Sequence, residues 1–299
     1  MSDHKTTKDI NDELRKACKE GDLINIKLLL NKGANIHHKD IYFGNSPIIF
    51  SCFNDNIQVI ELLLLNGANI HHKNNDFCTP IIKASIYGHI KVVEFLLLNG
   101  ANIHDKENYY GNTPLIVGSM EGRFDIVEFL LLKGANIHDK DYSNNSSIIK
   151  ASKKGHIKVV ELLLSKGANI YDKNKYNETP LIWASIQGYL DITKLLILNG
   201  ANIYDKDCGM NTPLILNSKY GHYEMVKLFL SIGANINDKD KDGNSCITLA
   251  SRRHYINTIK VLQNWPLTML IIVLQELIIY HILDCESYID FLQYFGEIV

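Results

Sequence analysis

The chain has 299 residues, 31 of them basic and 33 acidic, for a formal net charge of −2 with no long block of like charge. That balance disfavours a nucleic-acid backbone as partner, since such partners are met by basic patches or stripes. The six cysteines, Cys18, Cys52, Cys78, Cys208, Cys246 and Cys285, include no Cys-x-x-Cys pair and fall mostly in helical patterns; free thiols in a reducing, intracellular and cytoplasmic setting are expected.

The N-terminal Met-Ser-Asp-His-Lys-Thr-Thr-Lys is polar, with neither the apolar core of a signal peptide nor a lipidation motif, so residues 1–9 read as a polar tail and secretion is not expected. Residues 10–32 then place Leu14, Ala17 and Gly21 in register with Ile48, Ser51 and Asp55 of the following stretch. With Asp12, Glu13, Arg15, Lys16 and Lys19 outward, this first unit reads as the polar N-terminal cap of an array.

From there the tripeptide Gly-Ala-Asn, always followed by Ile, opens at Gly33, Gly67, Gly100, Gly134, Gly167, Gly200 and Gly233, spaced by 33 or 34 residues. A fixed period of that size marks a solenoid, whose units bury one face each and complete their core by stacking. The product is a long surface rather than a pocket, which turns the functional reading from chemistry to binding. Before each first helix stands a cap: Ser46-Pro47, Thr79-Pro80, Thr113-Pro114, Ser146-Ser147, Thr179-Pro180, Thr212-Pro213 and Ser245-Cys246. The hydroxyl is expected to accept from an orphan backbone N–H, and proline suits the first helical position.

A short apolar helix follows, with a small residue (Ala84, Gly118, Ala151, Ala184 or Ala250) where helices approach closely, and ends at Gly88, Gly122, Gly155, Gly188 or Gly221. A second helix of about three turns presents an inner stripe such as Val92, Val93, Leu96 and Leu97. The glycine of Gly-Ala-Asn closes it, and an extended segment such as Ile103-His104-Asp105-Lys106 leads into a projecting β-hairpin. The period would place its next glycine at position 266, which is Pro266. Proline cannot supply the left-handed turn, so the repeat domain is read as 10–264, about eight units including terminal caps. Residues 265–299 read as an apolar helical tail, 17 residues of it from Leu267 to Leu283, interrupted by Gln275, Glu276 and His281. That run is short for a membrane span, which asks for about 20 residues. A cap on the end of the array or a docking helix for another protein is expected instead.

The Thr179-Pro180-Leu181 start, the Gly88-His89, Gly155-His156 and Gly221-His222 pairs and the recurring Gly-Ala-Asn resemble the ankyrin repeat over residues 10–264. The resemblance implies an all-α solenoid of helix-turn-helix units with projecting hairpin loops, and a binding function. The family's histidine after Thr-Pro-Leu is replaced by Ile48, Ile82, Ile116, Ile149, Ile182, Ile215 and Thr248, which removes a polar contact that burial is expected to offset. The wording of the units, rich in Ile, Asn, Lys and Tyr, also resembles the ankyrin paralogue sets of giant DNA viruses of amoebae, which implies a host cytoplasm as setting.

No nucleophile elbow, Walker-type loop, His-Glu-x-x-His or Gly-x-Gly-x-x-Gly occurs, so neither a catalytic residue nor a cofactor is expected. The pairs His37-His38 and His71-His72 invite a metal, but neighbours in an extended segment point to opposite faces, and no metal site is expected. Where the repeat imposes least, at the finger tips, stand Tyr42, Phe43, Phe77, Tyr109, Tyr110, Tyr142 and Tyr176. Aromatic side chains of this kind anchor interfaces, although they could equally pack sideways on adjacent fingers. The resemblance adds Tyr87, Met120, Trp183, Gln187 and Tyr220 on the concave first-helix face. The expected function is a non-catalytic, monomeric scaffold binding a protein partner. An adaptor whose tail recruits an effector such as a ubiquitin ligase and a membrane-tethered scaffold are the alternatives.

Overall fold

A helical unit of this chain is made by punctuation more than by propensity. In the computed structural model, which describes residues 7–265, every second helix that runs into Gly-Ala-Asn stops in the same way. At Gly100, whose φ is +91°, the Gly100 N–H donates to Leu97 O at 3.1 Å and the Ala101 N–H to Leu96 O at 2.9 Å. These two bonds satisfy carbonyls that the helix end would leave open, and the left-handed conformation they need is one glycine adopts without steric cost.

The chain divides into two compact units, Met1–Cys208 and Gly209–Val299. In the first, helices pair as α1 (Thr7–Glu20) with α2 (Leu23–Asn31), α3 (Pro47–Ser51) with α4 (Ile57–Leu65), and α5 (Pro80–Tyr87) with α6 (Ile90–Leu98). The pairs α7 (Pro114–Met120) with α8 (Phe124–Leu132), α9 (Ser147–Lys154) with α10 (Ile157–Ser165), and α11 (Pro180–Gln187) with α12 (Leu190–Leu198) follow. First helices pack on first helices and second on second, giving two layers. The second unit holds α13 (Pro213–Tyr220), α14 (Tyr223–Ser231), α15 (Cys246–Arg252) and helical residues 256–265. This is the all-α, helix-turn-helix repeat array that the period implies.

The core lies between the layers. Val92, Val93 and Leu96 are buried, and each such side chain contributes about 1.5–3 kcal/mol of burial. Leu97, expected on the inner stripe, is only half-buried, and Leu98 beyond it is exposed. Ala84, Ala151, Ala184 and Ala250 are buried, and a Cβ added at Gly118 would meet Ile126 at 3.2 Å, so small residues do mark the close approaches. Burial pushes the Cys18 and Cys52 thiols up to about 12 and the Cys78 thiol up to about 11. These thiols stay protonated and act as apolar filler.

The structure corrects four further expectations. The hydroxyl cap bond forms in four of the seven cases, at Thr113, Thr179, Thr212 and Ser245. The buried hydroxyls of Ser46, Thr79 and Ser146 have no partner among the described residues, although their backbone dihedrals are nearly the same. The helix α7 stops at a Glu121 cap, one residue before Gly122. Arg15, expected on the outer face of the first unit, turns inward, pairs with Asp12 and is largely buried.

The largest correction concerns the hairpins. The segment after Gly-Ala-Asn is a turn, not an extended strand, because Asn102 holds it from both ends. Its side-chain oxygen accepts from the His104 N–H at 3.0 Å and its carbonyl from the Asp105 N–H at 3.2 Å. Among the described residues the only β pairing outside helices is the two isolated bridges Lys140–Ser146 and Lys239–Ser245. The Pro266 break, the tail from Leu267 onward, Cys285 and the start of the 1–9 tail lie outside the described residues. Among the described residues no helix is long and apolar enough to cross a membrane.

Candidate protein-binding surface of fingertips and first helices

Each finger of the first unit is built on one acceptor side chain at its base. Asp40 accepts from the backbone N–H groups of Tyr42, Phe43 and Asn45 at 2.7–2.9 Å. Glu107 does the same for Tyr109, Tyr110 and Asn112 at 2.7–3.1 Å. Asn74 holds Asp76 and Cys78, Asp141 holds Ser143 and Asn145, and Asn174 holds Tyr176 and Glu178. Four of these five bases, Asn74, Glu107, Asp141 and Asn174, are buried. Buried acceptors of this kind must be bonded, and here the bonds are spent on shaping a loop.

Consecutive fingers are also stapled together by backbone. Asn75 N donates to Phe43 O, Asn108 N to Asp76 O, Tyr142 N to Tyr110 O, Lys175 N to Ser143 O and Cys208 N to Tyr176 O, all at 2.7–2.9 Å. Two side-chain bonds run beside them, from Asn74 to Asn45 at 2.8 Å and from Asn174 to Asn145 at 2.9 Å. Neither the bases nor the staples figure in the sequence reading. An Asp, Asn or Glu does recur five or six residues before each of these caps, and that spacing was the available signal.

The same spacing explains the alternation of 33 and 34 residues. The two fingers with six residues from base to cap, Asp40 to Ser46 and Glu107 to Thr113, fall in the two 34-residue periods. Their extra residue makes room for an aromatic pair and a left-handed glycine, Tyr42-Phe43-Gly44 and Tyr109-Tyr110-Gly111. The shorter fingers turn on a non-glycine residue with positive φ instead, Phe77 at +57°, Asn144 at +61° and Asn177 at +58°. For an aromatic residue that conformation is strained.

The tips themselves are exposed: Tyr42 at 85 %, Tyr109 at 74 % and Phe77 at 46 %, with Phe43, Tyr110, Tyr142 and Tyr176 between. Tyr109 and Tyr110 meet edge to face at 4.8 Å. The sideways-packing alternative holds for one ring, since a Cβ added at Gly111 would come within 2.6 Å of Tyr142. The Lys175 ammonium lies 5.0 Å from the Tyr176 ring centre.

On the first-helix face, Tyr87 is exposed, Met120 and Trp183 are half-buried and Gln187 is exposed. Tyr220 stands in the second unit, stacked 6.2 Å from His222. The Lys153 ammonium sits 3.6 Å over the Trp183 ring. Phe50 and Phe53 stack at 5.8 Å and Phe53 meets Tyr87 at 4.9 Å, extending the face in a direction the sequence reading overlooked. Phe50 stands four residues after its cap, as Trp183 does, so alignment on the caps would have found it. Burial opposes ionisation of Asp141, but the Lys150 ammonium at 2.8 Å and the Asn145 side-chain and backbone N–H groups prevail. Its carboxyl therefore sits below the usual range.

The adjacent histidines lie in the Asn-held turns. His72 points inward and its Nε2 is 3.3 Å from Gly44 O, while His71 is exposed; burial pulls His72 down, with Lys39 and His37 adding and the Gly44 carbonyl opposing. Among the described residues no three His, Cys, Asp or Glu side chains are grouped to hold a metal.

Models of ankyrin repeats in three copies match residues 14–107, 58–141 and 139–207, and a single ankyrin repeat matches 210–241. The chain belongs to the ankyrin repeat family. Ankyrin repeats mediate protein–protein interaction and their proteins are typically non-catalytic scaffolds. A comparison with curated proteins gives no match. Where the ankyrin motif has a histidine, Ile48, Ile82, Ile116, Ile149, Ile182 and Ile215 are buried and Thr248 is half-buried.

Proposed function

We propose that this chain is a non-catalytic ankyrin scaffold that holds a protein partner through its fingertips and first-helix face. One observation carries the reading. The tip backbones are bonded to the finger bases and to the neighbouring fingers, while the aromatic side chains on them stay in solvent. Exposed rings on a hydrogen-bonded backbone need less ordering on binding than rings on a free loop and make efficient anchors.

Replacing Tyr42, Phe43, Phe77, Tyr109 and Tyr110 by serine is expected to abolish capture of partners from a cell lysate while leaving the unfolding transition in place. Capture of the same proteins by the variant would overturn the reading. The setting proposed is the cytoplasm, as a monomer with a repeat domain over 10–264 followed by a tail over 265–299. The Ile-, Asn-, Lys- and Tyr-rich wording favours a giant-virus origin, in which case partners would come from an amoebal host lysate.

A further inference from the structure

The first-helix face of the first unit changes character along its length. Four residues after successive caps stand Phe50, Lys83, Val117, Lys150 and Trp183, and three residues further on Phe53, Ile86, Met120, Lys153 and Ile186. From α3 to α7 the face is mainly aromatic and aliphatic. On α9 it turns basic, with Lys150, Lys153 and Lys154 within five residues.

These three ammonium groups are unequally balanced. Lys150 is taken up by Asp141 at 2.8 Å and is largely buried. Lys153 and Lys154 form no ion pair among the described residues, and Lys153 is parked over the Trp183 ring. Burial holds the Lys153 ammonium below its usual range, Lys150 and Lys154 push it the same way, and Glu178 and Asp141 oppose. Like charges three and four residues apart on a helix repel, so this face carries positive potential that Asp141 and Glu178 offset only in part. Lys19, near the Phe53 ring, and Lys83 add charge of the same sign, against Glu20 and Glu121.

We propose that this face takes an acidic segment of a protein partner. Its carboxylates meet Lys153 and Lys154, and its apolar side chains lie on Tyr87 and Met120. The proposal rests on the protein-binding reading above and adds the partner's chemistry and its direction along the array. First helices of neighbouring units pack about 8–10 Å apart. At about 3.3 Å per extended residue, the acidic groups fall roughly three to six residues from the apolar anchors. A nucleic acid fits less well. Its backbone charge is unbroken and asks for a continuous basic stripe, whereas the lysines here cluster on α9 with Glu178 beside Lys153.

The test is a selection of displayed protein-derived peptides on the full chain, followed by affinity measurements with the selected peptides made synthetically. Acidic residues are expected to be enriched at that spacing from an apolar residue. The variant Lys153→Glu with Lys154→Glu is expected to lose about tenfold or more in affinity, and a peptide with its acids replaced by lysine to regain it. Should the charge reversal disturb folding, Lys153→Gln with Lys154→Gln is expected to lose affinity in the same direction. Selected peptides without acidic enrichment, unchanged affinity after charge reversal, or displacement of the peptide by polyuridylic acid at lower concentration would each overturn the proposal. Acid-free peptides that still lose binding when Tyr109 and Tyr110 become serine would overturn this inference and leave the scaffold reading standing. A selection yielding no peptide that depends on either set of residues would overturn both.

Discussion

The base and the tip of a finger lie only two or three residues apart and obey different rules. At the base, Glu107 is buried and spends its carboxylate on three backbone N–H groups and the Asn112 amide. At the tip, Tyr109 and Tyr110 give their backbone N–H groups to that carboxylate and leave their rings in solvent. Equivalent bases recur with a chemically similar side chain in every finger of the first unit, whereas the tips change from Tyr-Phe to Phe to Tyr-Tyr. What is demanded by the fold is therefore separable, residue by residue, from what is available for binding.

Breaking a base should show the fold's side of this contrast most strongly. Asp141→Ala strands the largely buried Lys150 and frees the Ser143 and Asn145 N–H groups. Denaturant unfolding is expected to show a loss of about 3 kcal/mol. A smaller effect separates two caps that look alike in sequence. Thr179→Val removes a hydroxyl that accepts from the Ile182 N–H at 3.2 Å and should cost about 1 kcal/mol. Thr79→Val removes a buried hydroxyl with no partner and should be neutral or slightly stabilising in the same assay.

At the tip the sign should reverse. Phe77 holds a φ of +57°, which glycine adopts without strain, so Phe77→Gly is expected to raise stability by about 0.5–1 kcal/mol while weakening partner binding. The smallest effect is one of pH. Because the folded-state pKa of Asp141 is depressed, its stabilising contribution is complete above the ordinary carboxylate range and is lost as pH falls through the lower folded value. Unfolding measured from pH 7 downward should therefore fall more steeply for the wild type than for Asp141→Asn.

Much of the fold was legible because it is written in residues with one conformational meaning. Gly100 and its equivalents had to close helices, and Thr-Pro had to open them. What the period could not convey was where side chains would turn. Asn102 replaces a strand by a turn with its own amide, Arg15 is largely buried while its partner Asp12 stays exposed, and Ser46, Thr79 and Ser146 keep their hydroxyls unbonded. The site was legible at the tips, where aromatics stand out against a constrained repeat. It was illegible at Lys153 and Phe53, whose importance comes from rings brought over by neighbouring units.

The central claim is that tips bind and bases fold. It is tested most directly by measuring unfolding free energy and affinity for a selected peptide on one preparation of the variant carrying serine at Tyr42, Phe43, Phe77, Tyr109 and Tyr110. The account predicts that affinity is lost while stability stays within about 1 kcal/mol of the wild type. A variant that unfolds as it loses binding, or one that binds the peptide as well as the wild type does, would contradict it.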